Sequence, residues 1–313
     1  MVTTPAGNYS QQGYRVTVNS YIHDPKLIQR RFLDIMRQQF MMEDILRNDG
    51  TNNSGVVQYE TDGPLFADRD PMLVAEGAEI PLVTGSDGVM KAAFTTKYGA
   101  GLQITRECQS RNKVSQIDRR MKQLKNSFIR LYERKMFTAL SAAPTLTMPA
   151  SAIWTLPNTN IRTDILHATE AVQEANQSGA TAGPAVEDYL GFEPDTLVIS
   201  TRTKSLFFAN DSVIDVYERG GPLETKNPLY VGTLEKDFMG LRVLVSRFMS
   251  DDFAWVLQRK VVGGYSDEYP LGVEPLYPDK PRQVWRTDVT RRTAMYIDQP
   301  KAAIKITNLL TPV

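Results

Sequence analysis

Three hydrophobic spacings succeed one another along the chain, and each predicts its own kind of element. Over residues 24–48, Ile28, Phe32, Ile35, Met42 and Leu46 return at helical intervals. Asp24 and Pro25 offer an N-cap and a proline at the first helical position, and Asn48-Asp49-Gly50 reads as the stop. This predicts one amphipathic helix whose stripe, with Ile28, Phe32 and Ile35, packs the N-terminal arm against its own domain or a neighbouring subunit. Over residues 56–105 the period falls to two, with Met90, Ala92, Phe94, Thr96 and Tyr98 alternating with Val89, Lys91, Ala93, Thr95 and Lys97. A long-armed β-hairpin follows from that pattern, and Gly85, Ser86, Asp87 and Gly88 supply its turn chemistry. Beyond it Ile117, Met121, Leu124, Phe128 and Leu131 restore the helical period, with no Gly or Pro before Leu140. With Ser115 and Asp118 as a capping pair, a helix over 116–140 would be about 37 Å long at ~1.5 Å per residue.

The rest of the pattern alternates helix and strand. Residues 1–23 are polar and without period, which predicts an arm that a partner must order. The Pro- and Thr-rich residues 144–158 read as a boundary. After it come a helix over 163–176, a buried strand over 196–200 and a short helix over 201–210. Leu241, Val243 and Val245, then Phe253, Trp255 and Leu257, predict two strands around a turn at Ser250, Asp251 and Asp252. Strands over 283–289, 292–297 and 302–306 close an α+β chain.

Composition narrows the function more by exclusion than by assignment. Lys plus Arg and Asp plus Glu are each 36, so no overall basic excess marks a dedicated nucleic-acid binder. The basic residues do cluster over 111–135, where Arg119, Arg120, Lys122 and Lys125 stand against only Asp118 and Glu133. That run is either a solvated helix face or a surface facing phosphate. Cys108 is the single cysteine, which excludes an internal disulfide and fits a reducing compartment. Neither a signal peptide nor a run of about 18 apolar residues is present, which predicts a soluble chain made in the cytoplasm and no membrane partner. His23 and His167 stand far apart with no metal-ligand spacing, and Cys108 has no paired base. The GxG of Gly99 and Gly101 lacks the third glycine of a dinucleotide loop, so no cofactor and no enzyme activity are expected. Glu76 and Glu79 share one short extended loop, unlike a glycosidase pair drawn from separate elements, and read as surface contacts.

The order of these parts resembles the major capsid proteins of tailed bacteriophages, the Hong Kong 97 type fold. The likeness is carried by VAEGAEIP at 74–81 and by KAAFTTKYGAGLQITRE at 91–107 running into SQIDRRMKQLKNSFIRLYERKMFTAL at 115–140. TDILHATEAVQEAN at 163–176, DTLVISTRTKSLFFAN at 195–210, FMGLRVLVSRFM at 238–249 and TRRTAMYIDQPKAAIKITNL at 290–309 extend it. The resemblance implies an N-terminal arm with its amphipathic helix (1–54) and an extended loop (55–105). It further implies a peripheral domain (106–158) with a spine helix over 116–140, an axial domain (159–280), and returning peripheral strands with the C-terminal tail (281–313).

It also implies hexamers and pentamers tiling an icosahedral shell around double-stranded DNA, a portal at one vertex, and scaffolding that is either a separate protein or a segment already cleaved, with room for a separate decoration protein. An encapsulin-type compartment around protein cargo shares the fold and is the alternative. Glu76, Glu79 and Lys91 become expected assembly contacts, and Arg119, Arg120, Lys122 and Lys125 an expected inner surface. Some members join a loop lysine to an asparagine with a glutamate assisting. Here Lys91 matches the lysine, while Gln283 and Thr290 stand at the other two places, so no cross-link is expected.

Overall fold

The computed structural model describes residues 18, 22, 24–36, 40–61, 72–82, 84–85, 88–156, 159–176, 189–210, 213 and 237–310. Helix α1 (Pro25–Met36) starts as its sequence requires. Asp24 caps it, its Oδ1 accepting from the Lys26 amide at 3.2 Å. The single helix expected to reach Asn48 is instead two helices and a strand. Helix α2 (Met41–Ile45) ends at an extended Leu46, and β1 (Arg47–Thr51) follows. Gly50 does sit at positive φ, +83°, but within a bulge of β1, with its amide bonded to Asn48 Oδ1 at 3.0 Å. The residues that read as a helix stop therefore shape an edge strand. It pairs in parallel with β10 (Gly264–Val273), where Gly264 has no side chain because Asp49 and Tyr296 fill that space.

The hairpin consists of β2 (Val56–Thr61) and β3 (Val89–Phe94), antiparallel with Val56 opposite Phe94 and Thr61 opposite Val89. It is shorter than the period-two pattern suggests. At Thr95 the chain leaves it, and β4 (Thr96–Thr105) pairs along its whole length with β12 (Val284–Tyr296). The two strands expected at 283–289 and 292–297 are this one strand. β1, β10, β12 and β11 (Tyr277–Asp279), with β4 on the other side of β12, make the first sheet.

Helix α3 (Arg106–Ser110) leads into α4 (Val114–Ala142), 29 residues and about 44 Å long at ~1.5 Å per residue. Ser115 and Asp118 do not cap it, since Lys113 is the N-cap and Asp118 instead binds Arg31 of α1 at 2.9 Å. At the far end Ala143 is extended, as a residue before proline must be. Ile117, Met121, Phe128, Tyr132 and Met136 form the buried stripe. Val18 of the arm is also buried, and its amide donates to Asn112 Oδ1 at 2.8 Å, so this point of the arm is held by its own chain.

The second sheet has the order β5 (Leu146–Pro149), β13 (Ala303–Thr307), β9 (Ala254–Leu257), β6 (Thr196–Ser200), β8 (Leu241–Ser246) and β7 (Asp237–Phe238). Helices α5 (Ile161–Gln173) and α6 (Thr201–Ala209) accompany it, capped by Asn160 and Ser200. Three expectations change here. The boundary at 144–158 contains a strand of this sheet, because Leu146 and Met148 pair with Ile304 and Ile306. β8 and β9 are not neighbours around a turn, because fully buried β6 lies between them. The division at 280 does not follow the pairing either: β10 belongs with β4 and β12, while β13 returns to the sheet of β9. A period-two pattern sets which side chains face inward but carries no information about the partner strand. Among the described residues no helix is long and apolar enough to cross a membrane.

Candidate functional site

The hairpin presents apolar surface that its own chain leaves uncovered. Val89, Met90 and Phe94 are 65, 63 and 71% exposed, and Met72, Leu73, Ile80 and Leu82 of the connecting segment are exposed as well. A two-stranded ribbon is marginal in water, and contiguous exposed apolar side chains mark an interaction surface. Glu76, Glu79 and Lys91 stand on this projection, exposed, with Lys91 opposite Tyr59 in the ladder.

The root of the hairpin is tied to the first sheet through polar groups. The Thr95 amide donates to the Gly55 carbonyl at 3.0 Å, and its hydroxyl donates to Glu268 Oε2 at 2.7 Å. Arg292 NH1 donates to Glu268 Oε1 at 2.8 Å while its guanidinium lies 5.1 Å from the centre of the Tyr269 ring. The Thr95 hydroxyl and then Arg292 hold the Glu268 carboxyl below its ordinary range. These contacts fix where the hairpin leaves the sheet.

Deeper in, Arg291 of β12 is 2% exposed and charged. Its Nε and NH2 donate to the two oxygens of Asp267 at 3.0 and 2.8 Å, and NH1 donates to Glu43 Oε1 of α2 at 2.9 Å. Phe40, Tyr132 and Tyr265 surround it, with ring centres 5.7, 5.2 and 5.5 Å away. Burial opposes the charge most strongly of any single cause, but the Asp267 hydrogen bond and the negative charges of Asp267 and Glu43 together outweigh it and hold the guanidinium pKa above its ordinary value. One side chain thus joins α2, α4, β10 and β12. Sequence reasoning missed this node, although the phase of β12 held the signal: Thr287, Val289, Arg291 and Thr293 all lie on the buried side.

A second buried acid sits on α4. Glu133 Oε2 accepts from Ser246 Oγ of β8 at 2.5 Å. Burial pushes its carboxyl pKa up, against the pull of that hydroxyl.

The basic residues of α4 divide. Arg119 and Lys122 are exposed and Lys125 is half-buried, whereas Arg120 NH1 donates to the Gln103 carbonyl of β4 at 2.7 Å. Arg120 therefore satisfies a backbone acceptor on an edge strand. Ile28, Phe32 and Ile35 lie in α1, but their side chains fall outside the described residues, as do His23 and most of the hairpin's tip. His167 is exposed on α5, and Cys108 is buried with its thiol 3.6 Å from the Lys113 carbonyl. Among the described residues no three His, Cys, Asp or Glu side chains form a group that could hold a metal.

Comparison with known proteins adds a family. A family model described as "phage capsid protein" matches residues 89–306, from β3 into β13. Among solved structures, the bacteriophage PhiM1 mature capsid aligns with a TM-score of 0.59 at 12% identity, covering 88% of this chain and 88% of that one. A phage-related protein from Bordetella bronchiseptica RB50 aligns with 0.56 at 14% identity, covering 90% and 96%. A virus-like particle from Pyrococcus furiosus aligns with 0.56 at 12% identity, covering 90% and 98%. A search of curated proteins finds no match. The structural likenesses show a shared α+β fold.

Proposed function

This chain belongs to the phage capsid protein family, and from that premise we propose that its copies associate as hexamers and pentamers into an icosahedral shell around double-stranded DNA. The role is structural, with the virion capsid as its place. The observation that carries the reading is the uncovered hairpin, with Phe94 71% and Leu82 90% exposed, which a tiled shell covers with the neighbouring copy. Many modest contacts of this kind add up to a stable particle. Glu76, Glu79 and Lys91 are contacts in that seam, and Ile28, Phe32 and Ile35 pack the arm. Assembly takes place in the host cytoplasm, with a portal at one vertex and scaffolding or decoration supplied by separate chains. Maturation is a rearrangement in which arm and hairpin re-dock as DNA enters.

No covalent lysine–asparagine bond forms, because Gln283 and Thr290 replace the partners that Lys91 would need. Shells boiled in detergent are expected to release a single monomer band, and a ladder of multimers would contradict this.

The exposed part of the α4 basic face, Arg119 and Lys122 with Lys125 beside them, is the inner surface that meets phosphate without reading sequence. Replacing these three with Gln is expected to lower the length of DNA retained per particle. Arg120→Gln, whose guanidinium is engaged with Gln103, is expected to lower chain stability by about 1.5–3 kcal/mol at most, as for a hydrogen bond to a charged group. Quantitative extraction of DNA from purified particles checks the first, and unchanged retention would assign the face to solvent.

One observation favours a second reading: the Pyrococcus furiosus virus-like particle shares the fold over 90% of this chain. An encapsulin-type shell would hold protein. Protein in place of nucleic acid inside purified particles would select it.

A further inference from the structure

We infer that the outer edge of β4 over residues 97–101 takes an added strand, and that this strand is residues 78–82 of a second copy. The inference rests on the reading that copies of this chain associate, and it names backbone groups that join them. β1 and β4 lie at the two sides of the first sheet. β1 is blunted as edge strands usually are: it has five residues, a register shift at its bulge, and the charges of Arg47 and Asp49. β4 lacks these devices. It runs ten residues in unbroken one-to-one register with β12 and contains no proline.

Two hydrogen bonds fix which way the backbone of β4 points. The Gln103 carbonyl faces out of the sheet, where Arg120 of α4 donates to it at 2.7 Å. Across the ladder, the Asp288 carbonyl accepts from the Glu274 amide at 2.8 Å and so points away from its partner Gly101. Antiparallel pairs alternate, so Lys97, Gly99 and Gly101 also turn amide and carbonyl outward. All three are exposed, and among the described residues nothing bonds those groups. The open stretch is about 13 Å long at ~3.3 Å per residue. The GxG that fits no dinucleotide loop has its place here. A Cβ on Gly99 would lie 3.0 Å from Thr290 Cγ2, and one on Gly101 would run into the Asp288 carboxylate. Glycine thus allows the close pairing with β12 and leaves the outward groups without a side chain to screen them.

Residues 78–82 fit this edge. They lie in no helix or strand, beginning where the Ala78 amide closes a turn onto the Ala75 carbonyl at 3.0 Å. Ile80 and Leu82 are 76 and 90% exposed, so the segment does not cover its own edge. Pro81 has no N–H, which leaves Ile80 and Leu82 as the residues that pair and turns Pro81 outward, the one place a strand accepts it. Residues 72–74 are also uncovered, but they form a shorter run without charge. Glu79 matters because both faces of the edge carry an exposed cation. Lys97 lies on the face of the glycines, and Lys135 Nζ lies 5.6 Å from the centre of the Tyr98 ring on the other. Neither has a salt bridge among the described residues, so Glu79 meets a lysine in either strand direction.

Disulfide trapping tests the pairing. Ala100→Cys is combined in turn with a cysteine at each of residues 78–82, from Ala78→Cys to Leu82→Cys, in the full-length chain. After mild oxidation the proteins are run on non-reducing gels, with the single variants as background. Cys108 is 4% exposed and stays out of the reaction. Successive side chains of a strand point to opposite faces, so reductant-sensitive multimers are expected with a period of two. An antiparallel strand gives them at position 79 or 81 and a parallel one at even positions, never at both. Multimers at neighbouring positions alike, or at none, would overturn strand addition. Shells that form without this period would overturn it and leave the proposed function standing, whereas a parental chain that stays monomeric would overturn both.

Discussion

Replacing Arg291 with methionine is expected to lower the stability of the chain by about 3–5 kcal/mol, the range for breaking a buried ion pair from one side. The side chain is 2% exposed and surrounded by three aromatic rings, so its loss would leave Asp267, 14% exposed, as an uncompensated carboxylate. Urea unfolding of unassembled chain, followed by fluorescence and far-UV dichroism, measures the loss. The midpoint should fall with the slope unchanged. Glu43→Gln should have a smaller effect, because the Glu43 side chain is 36% exposed and Asp267 still neutralises the guanidinium. A loss below about 1 kcal/mol for Arg291→Met would mean that the node holds no more than an exposed pair does.

The second large effect concerns assembly and leaves the subunit folded. Met90→Asp with Phe94→Asp places two charges on side chains that are 63 and 71% exposed, so the chain itself should fold with a thermal midpoint within a few degrees of the original. Shells should not form, because the proposed tiling buries the same side chains against a neighbour, where an unpaired charge is expensive. Glu76→Lys with Glu79→Lys acts on the same projection and should block or distort assembly, with the subunit again folded. Sedimentation of the expressed proteins separates shells from subunits. Normal particles from the Met90 and Phe94 double variant would show that the hairpin's apolar surface faces solvent in the assembled state.

The order of elements was legible in the sequence because periodicity reports burial. The stripe Ile117, Met121 and Phe128 placed α4 to within two residues at either end, and a run with no charged residue, Thr196–Ser200, marked the buried strand β6. What periodicity leaves out is pairing. Nothing local to Thr96–Thr105 distinguishes a hairpin arm from a strand that pairs with residues nearly two hundred positions away, so β4 read as part of the hairpin. Asn48-Asp49-Gly50 was ambiguous for a related reason: the turn chemistry that ends a helix also makes a bulge, and Gly264, far along the chain, decides between them.

The candidate site was legible only in its exposed half. Glu76, Glu79 and Lys91 announce themselves as charges on an extended segment without catalytic partners. Arg291 does not, because its neighbours in sequence are also polar and its partners, Glu43 and Asp267, come from two other elements. The inward phase of Val289 and Thr293 was the available clue, and an arginine on that phase demands a buried carboxylate somewhere in the fold. Arg120 shows the opposite case. Grouped by sequence with Arg119 and Lys122 as one basic face, it is turned aside by the Gln103 carbonyl, which only the packing of α4 on β4 brings within reach.

Negative-stain electron microscopy of the full-length protein tests the central claim most directly. The account predicts closed shells with five- and sixfold clusters of subunits, each cluster joined to the next through its hairpins. A field of small, open-ended or uniformly dimeric particles under conditions where the chain is folded would contradict it.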